Sequence, residues 1–298
     1  MNNIVKECGT FRFHILALCI VFIWAVTFIS TKELLMAGLS PSDILFYRFI
    51  LAYIGLCICS HPFVPVAKSL KDEALLFMCG LFGGTLYFIT ENTALEFTLV
   101  SNVALICSTT PLITLLFQAI IDRKKPKAGV IAGSLFSLFG VAAVIFNTNF
   151  IIRINPIGDL LCLASATSWT LYTLIIKRLS RRYTALFITR KTFFYGIITL
   201  IPILCSKGIT TSKDILFTFP VMSRILFLGL IASFACFMLW NVCLKKLNAV
   251  VVSNYIYLMP VISILASNLL LGESLNYMII IGTAFVLSGM FIAGRSKQ

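Results

Sequence analysis

The chain has 298 residues, 59% of them apolar and only 12% charged, with a formal net charge of +13 and a mean hydropathy of +1.01. Soluble globular chains carry about 25% charged residues, so this composition cannot supply the polar shell of one or two soluble domains. A secreted, cytosolic or disordered chain is excluded. At about 20 residues per spanning helix, ten spans fit with only loops left over.

In chain order, apolar runs divided by short polar breaks predict spans at about 13–31, 43–60, 74–93, 98–121, 128–147, 158–176, 186–205, 222–243, 249–271 and 276–294. Helices are required, because strands with open edges leave backbone groups unpaired in lipid. The first run follows Lys6 and Arg12, as the apolar core of a signal peptide would. It lacks a small-residue cleavage site, and Ser30-Thr31-Lys32-Glu33 leads on to another span, so it is read as retained. The expected organisation is a terminal segment 1–12, five spans in 13–147, a linker 148–157, five more spans in 158–294 and a tail 295–298.

Numbering the loops alternately explains the basic charge. With the N-terminus inside, Lys6, Arg12, Lys68, Lys71, the basic residues between Arg123 and Lys127 and between Lys177 and Arg182, Arg190, Lys191, Lys245, Lys246, Arg295 and Lys297 share one side. The other side holds Lys32, Arg153, Lys207, Lys213 and Arg224, with Arg48 near the start of span 2. This bias places both termini in the cytoplasm. The positive charge is thus an orientation signal, not a nucleic-acid footprint, although the inner clusters also suit anionic lipid. Of the ten cysteines, eight lie inside apolar runs and no CxxC pair occurs, so they read as small hydrophobes. His14 and His61 are too far apart for a metal site, and neither metal nor cofactor is expected.

The chain repeats internally. At an offset of 149, Gly80 meets Gly229, Asn92 meets Asn241, Pro111 meets Pro260, and Gly133, Phe136, Leu138 and Gly140 meet Gly282, Phe285, Leu287 and Gly289. In the first span of each half an offset of 145 pairs Trp24 with Trp169 and Lys32 with Lys177. Five spans per half is an odd number, so the halves enter the membrane in opposite directions, as in many secondary transporters. The expected fold is all-α and polytopic: ten transmembrane helices as two inverted five-helix repeats in the bacterial cytoplasmic (inner) membrane.

The run Trp24…Lys32, Pro41 and Arg48 resembles the opening of an EamA domain of the drug/metabolite transporter superfamily. The second half carries Trp169…Lys177, Leu258-Met259-Pro260-Val261, Leu270-Leu271-Gly272-Glu273 and then Gly282 and Gly289, which is similar to the same family. Two tandem copies cover nearly the whole chain. The first copy departs from the pattern, with Asp122-Arg123-Lys124 where the family's Gly-Glu usually stands. The resemblance implies a ten-helix carrier of small metabolites, often an exporter of amino acids or related compounds, with a central cavity between the halves.

Helical spacing indicates which residues line such a cavity. Gly80, Gly84, Tyr87 and Glu91 fall on one face of span 3, matched in span 8 by Gly229, Ser233, Cys236 and Trp240. Span 4 has Ser108, Pro111, Thr114 and Gln118, matched in span 9 by Tyr257, Pro260, Ser263 and Ser267. Each stripe reads either as a shared central surface or as small-residue packing. Pro111 and Pro260 each free a backbone carbonyl toward a cavity or simply kink a helix. Trp24, Thr27, Trp169 and Tyr172 offer stacking walls or ordinary core.

Ionisable residues at membrane depth are costly and hence functional candidates. Glu91 either titrates as a coupling site, binds an ammonium group, or pairs with Arg48 or Lys32. Arg48 has Asp43 and Glu33 nearby as structural partners, while Lys32 and Lys177 end the first helix of each half and either gate it or snorkel. Spans 5 and 10 repeat glycine every seven residues and read as packing helices or a homodimer face. The sequence therefore favours a carrier of a small-molecule substrate within the lipid bilayer. The alternatives are a membrane enzyme on lipid-linked substrate, which lacks a reacting cluster, and a channel or receptor, which lacks a filter or appended domain.

Overall fold

The computed structural model describes residues 2–61, 65–98, 100–145, 155–262, 265 and 277–296, and helices are the only regular structure among them. The chain is an all-helical multi-pass membrane protein. Seven stretches are long and apolar enough to cross a bilayer: Phe11–Met36, Pro41–Ile58, Leu70–Phe97, Leu105–Asp122, Pro156–Leu179, Ala185–Ser206 and Phe219–Lys246. Three shorter apolar helices, Ala128–Ala143, Ala249–Ile262 and Ile280–Arg295, lie where spans 5, 9 and 10 are expected. Ser263, Ser267, the Leu270–Glu273 motif and most of the 148–157 linker lie outside the described residues.

We number the helices α1 (Asn2–Met36), α2 (Pro41–Ile58), α3 (Leu70–Phe97), α4 (Val100–Cys107), α5 (Thr110–Asp122), α6 (Ala128–Ile145), α7 (Pro156–Leu179), α8 (Ala185–Lys207), α9 (Lys213–Leu216), α10 (Phe219–Lys246), α11 (Ala249–Ile262) and α12 (Tyr277–Arg295). Their starts are written in the sequence. Ser40, Ser69, Asn155 and Thr184 each accept a first-turn N–H that would otherwise be orphaned, and Pro41 and Pro156 occupy the first turn, where no N–H is missed.

The expected fourth span is two helices. The chain breaks at Ser108-Thr109, and Pro111 falls in the first turn of α5 instead of mid-helix. The carbonyls beside the break are not left free: Thr109 Oγ1 donates to Ile106 O and Thr110 Oγ1 to Cys107 O, each at 2.6 Å. The matching place in the second half, before the buried Pro260, tightens into the 3-10 turn Tyr255–Tyr257. The third helix of each half contains a π-helical stretch, Leu81–Leu86 in α3 and Phe227–Ala235 in α10. An offset of 149 carries the first of these onto 230–235, inside the second.

Contacts between the halves recur when the halves are exchanged. A Cβ on Gly80 would strike Tyr195 and stand 2.8 Å from the Gly196 nitrogen, while one on its mate Gly229 would stand 2.7 Å from Leu51 Cβ. Gly196 follows Leu51 by 145 residues, the offset that pairs the first spans of the two halves. In α6 and α12 a Cβ on Gly133 would lie 2.6 Å from Gly289 O and one on Gly140 2.7 Å from Gly282 O. Ser137 Oγ donates to the carbonyl of its own mate, Val286, at 3.1 Å. The rising number on one helix meets the falling number on the other, so the two run antiparallel. The glycine face of spans 5 and 10 is therefore occupied within one chain, while Leu135, Phe139, Ile280, Leu287 and Phe291 point outward.

Close backbone approach at these glycines makes a specific stability prediction. Gly133→Ala pushes a methyl group to 2.5 Å from the Ala293 nitrogen, a backbone overlap costing on the order of 1–3 kcal/mol. The melting temperature of the purified protein should fall clearly, whereas Gly294→Ala, with nothing within 4 Å, should leave it unchanged or slightly raised.

Candidate functional site

The interior holds a cavity of about 40 Å³, room for a few waters, lined by Trp24, Thr27 and Phe28 of α1, Arg48 of α2, Tyr87, Phe88 and Glu91 of α3, Cys107 and Thr110 at the α4–α5 break, Trp169 of α7, Phe237 of α10, and Ile256 and Met259 of α11. Its walls are aromatic. The mates Trp24 and Trp169 meet edge to face with ring centroids 5.3 Å apart, and the mates Phe88 and Phe237 lie 5.8 Å apart. Trp240 packs on Trp24 at 4.9 Å, so all three tryptophans of the chain belong to this one cluster.

Of the residues expected to form a cavity, Trp24, Thr27, Tyr87, Glu91 and Trp169 line it, as does Arg48. Tyr172 and Trp240 stand directly behind the walls. Tyr172 packs against Trp169 at 5.2 Å and donates to Asn241 Oδ1 at 3.1 Å, over Gly83, where a Cβ would collide with its ring. Ser233 accepts a hydrogen bond from Arg48 Nε. Gly84, Ser108, Pro111, Thr114, Tyr257 and Pro260 are buried but do not line the cavity. For span 3 the reason is the π-helical stretch. Its wider turn breaks the 3.6-residue register between Gly80 and Tyr87, so Gly80 and Gly84 face α8 while Tyr87 and Glu91 face inward.

The ionisable residues find other partners than sequence proximity suggests. Asp43 does not meet Arg48; its Oδ2 accepts from the backbone and hydroxyl groups of Thr210 and Thr211, at 2.6–3.1 Å. Glu33 pairs with Arg224 at 2.6 Å. Lys32 donates to Leu95 O at 2.7 Å and so has no ion pair with Glu91. Glu91 Oε1 accepts from Tyr87 OH at 2.5 Å. The Arg48 guanidinium lies 4.1 Å from the centre of the Phe88 ring. Among the described residues, Arg48 and Glu91 form no ion pair within 4.0 Å, although both line the cavity.

A polar track leads from the cavity along α5. Thr110 lines it, Thr114 meets Thr170 at 3.2 Å one turn on, and Gln118 accepts from Lys177 at 3.0 Å a further turn on. There a second, polar pocket opens among Gln118, Asp122, Lys177, Arg178 and Arg181. At the Leu70 end of α3, Asp72 binds Arg182 and Tyr183, and Glu73 binds Lys191 and Tyr195. Tyr183 lies in the α7–α8 connection, where burial raises its phenol above the usual value, so it remains a donor to Asp72.

Sequence reasoning missed Phe28, Phe88, Cys107, Thr110, Phe237, Ile256 and Met259. An apolar side chain in an apolar span carries no polarity signal, but the Phe88–Phe237 pairing at the repeat offset of 149 was available.

The model of the EamA-like transporter family matches residues 12–146 and 156–295. An "Uncharacterized transporter" of Archaeoglobus fulgidus is 28% identical over 289 residues, covering 96% of this chain and 99% of its own length. A "Probable amino-acid metabolite efflux pump" of Salmonella typhimurium is 23% identical over 292 residues, covering 93% of each chain. A crystal structure at 15% identity matches with a TM-score of 0.78 over 95% of this chain and 98% of the other, a likeness of fold.

Because Trp24, Trp169 and Trp240 are at most 7% exposed, intrinsic fluorescence reports on this cavity alone. Acrylamide should quench the resting protein weakly. A ligand that enters should change the emission, and Trp169→Phe should remove much of that change without abolishing folding.

Proposed function

We propose that this chain, which belongs to the EamA-like transporter family, is a secondary carrier in the bacterial inner membrane that exports amino acids or related small metabolites. Ten spans form two inverted five-helix repeats, residues 13–147 and 158–294, with both termini cytoplasmic. The halves rock about their shared contacts to open the aromatic cavity to each side in turn. The observation that carries this reading is the recurrence of contacts on exchange of the halves, Gly80 on Gly196 and Gly229 on Leu51, around a cavity walled by the mates Trp24 and Trp169. A pseudo-twofold axis in the membrane plane accounts for that pattern and for the antiparallel crossing of α6 and α12.

The relative described as an amino-acid metabolite efflux pump supports the substrate class and the direction. No GxxxxGK[ST] motif occurs in the sequence, so a gradient, exchange or the substrate's own concentration supplies the drive. Asp72 and Glu73, in the first turn of α3, are engaged by cations and phenols. That engagement supports a latch between helices over the paired acid and base of a membrane enzyme.

Purified protein in liposomes preloaded with an amino-acid mixture should show saturable counterflow of external labelled amino acid. Flux that does not saturate, or that is indifferent to the internal load, would contradict a carrier. If coupling runs through Glu91, Glu91→Gln should remove the dependence of flux on a proton gradient, and an unchanged dependence would assign coupling elsewhere.

A further inference from the structure

Building on the carrier reading above, we propose that Arg48 and Glu91 are a two-ended charge clamp. Arg48 takes a carboxylate and Glu91 an ammonium, so the cavity accepts zwitterions and rejects ligands bearing only one of the two charges.

Both side chains are buried, at 3% and 6% exposure, and both line the same cavity. Each is held from the side, which fixes its position and leaves capacity unused. Arg48 donates through Nε to Ser233 Oγ and rests on the Phe88 ring. Its two terminal nitrogens, the fork that matches a carboxylate, make no hydrogen bond to another described residue. Glu91 takes the Tyr87 hydroxyl on Oε1 alone. Phe88 and Glu91 are three residues apart on α3, a rise of about 4.5 Å. That spacing puts Phe88, under the guanidinium, and Glu91 on the same side of α3, and no ion pair within 4.0 Å joins Arg48 to Glu91. Trp169 lines the cavity as well, and its buried Nε1–H has no acceptor among the described residues.

Charge balance supplies the selectivity. Arg48 and Glu91 together are neutral. An amine brings net positive charge beside Arg48, and a carboxylic acid brings net negative charge beside Glu91. In a cavity of low dielectric either one leaves a buried charge uncompensated, which is costly, whereas a zwitterion completes both ends and leaves the sum at zero. The walls formed by Trp24, Trp169 and Phe237 favour an apolar side chain on that zwitterion.

Counterflow in liposomes with leucine, 3-methylbutylamine and 4-methylpentanoate tests this, since the last two are leucine without its carboxylate and without its ammonium. The wild-type protein should move leucine at least about tenfold better than either analogue. Arg48→Gln should lower leucine flux and erase the preference over the amine. Glu91→Gln should erase the preference over the acid. Arg48→Lys, which keeps the charge, should restore part of the leucine flux and guards against a merely misfolded Arg48→Gln. Equal flux of all three compounds in the wild type overturns the clamp, as does an equal loss for all three in both variants, the mark of mutual neutralisation only. If no zwitterionic amino acid is moved but a metabolite lacking one of the two charges shows saturable counterflow, the clamp falls and the carrier stands. If no solute of a broad panel moves, both fall.

Discussion

Lipid offers no hydrogen-bond partner and no countercharge, and most of the structure follows from that constraint. Hydroxyls inside the spans turn back on their own helix, as Thr90 does to Leu86 O, Thr189 to Ala185 O and Thr192 to Ile188 O. Asn241 is satisfied by Tyr172 and Thr189, and Asp43 Oδ2 by the two threonines after α8. Hydroxyl capping of the broken fourth span answers the same demand. Arg48 and Glu91 retain unused capacity after their local bonds, and the cavity that both line keeps it away from lipid.

Between apolar helices in a membrane, burial of oily surface gives little drive, so association rests on close packing. Gly80, Gly229, Gly133 and Gly289 let backbones approach to distances that a Cβ would forbid. The π-helical stretches follow Gly80 directly and surround Gly229. They turn the glycine face toward the opposite half and the Tyr87, Glu91 and Phe237 face toward the cavity. Packing and site are thus set by the same local feature, repeated once per half.

The seven long spans and the Trp24–Trp169 and Tyr87–Glu91 elements were legible because they rest on polarity, tryptophan and glycine, which stand out in apolar runs. Gly84 and Ser233 were placed one step away from their true role, since a uniform 3.6-residue period cannot anticipate a π-helical stretch. Pro111 reads as a mid-span kink until the break at Ser108-Thr109 moves it into a first turn. Arg48 was given Asp43 and Glu33 as nearby partners, yet Glu33 pairs with Arg224, and the five residues from Asp43 turn a helix through about 500°, leaving the two about 140° apart around the axis. Its true neighbours, Ser233 and Phe88, lie on other helices, and sequence distance says nothing of them.

A structure of the protein with leucine bound tests the central claim most directly. The account predicts leucine density between Trp24 and Trp169, its carboxylate against Arg48 and its ammonium against Glu91, with the aromatic walls parted to admit it. Leucine seated elsewhere, for example in the basic pocket around Gln118 and Lys177, or Arg48 and Glu91 closed into a direct ion pair while leucine is bound, would contradict it.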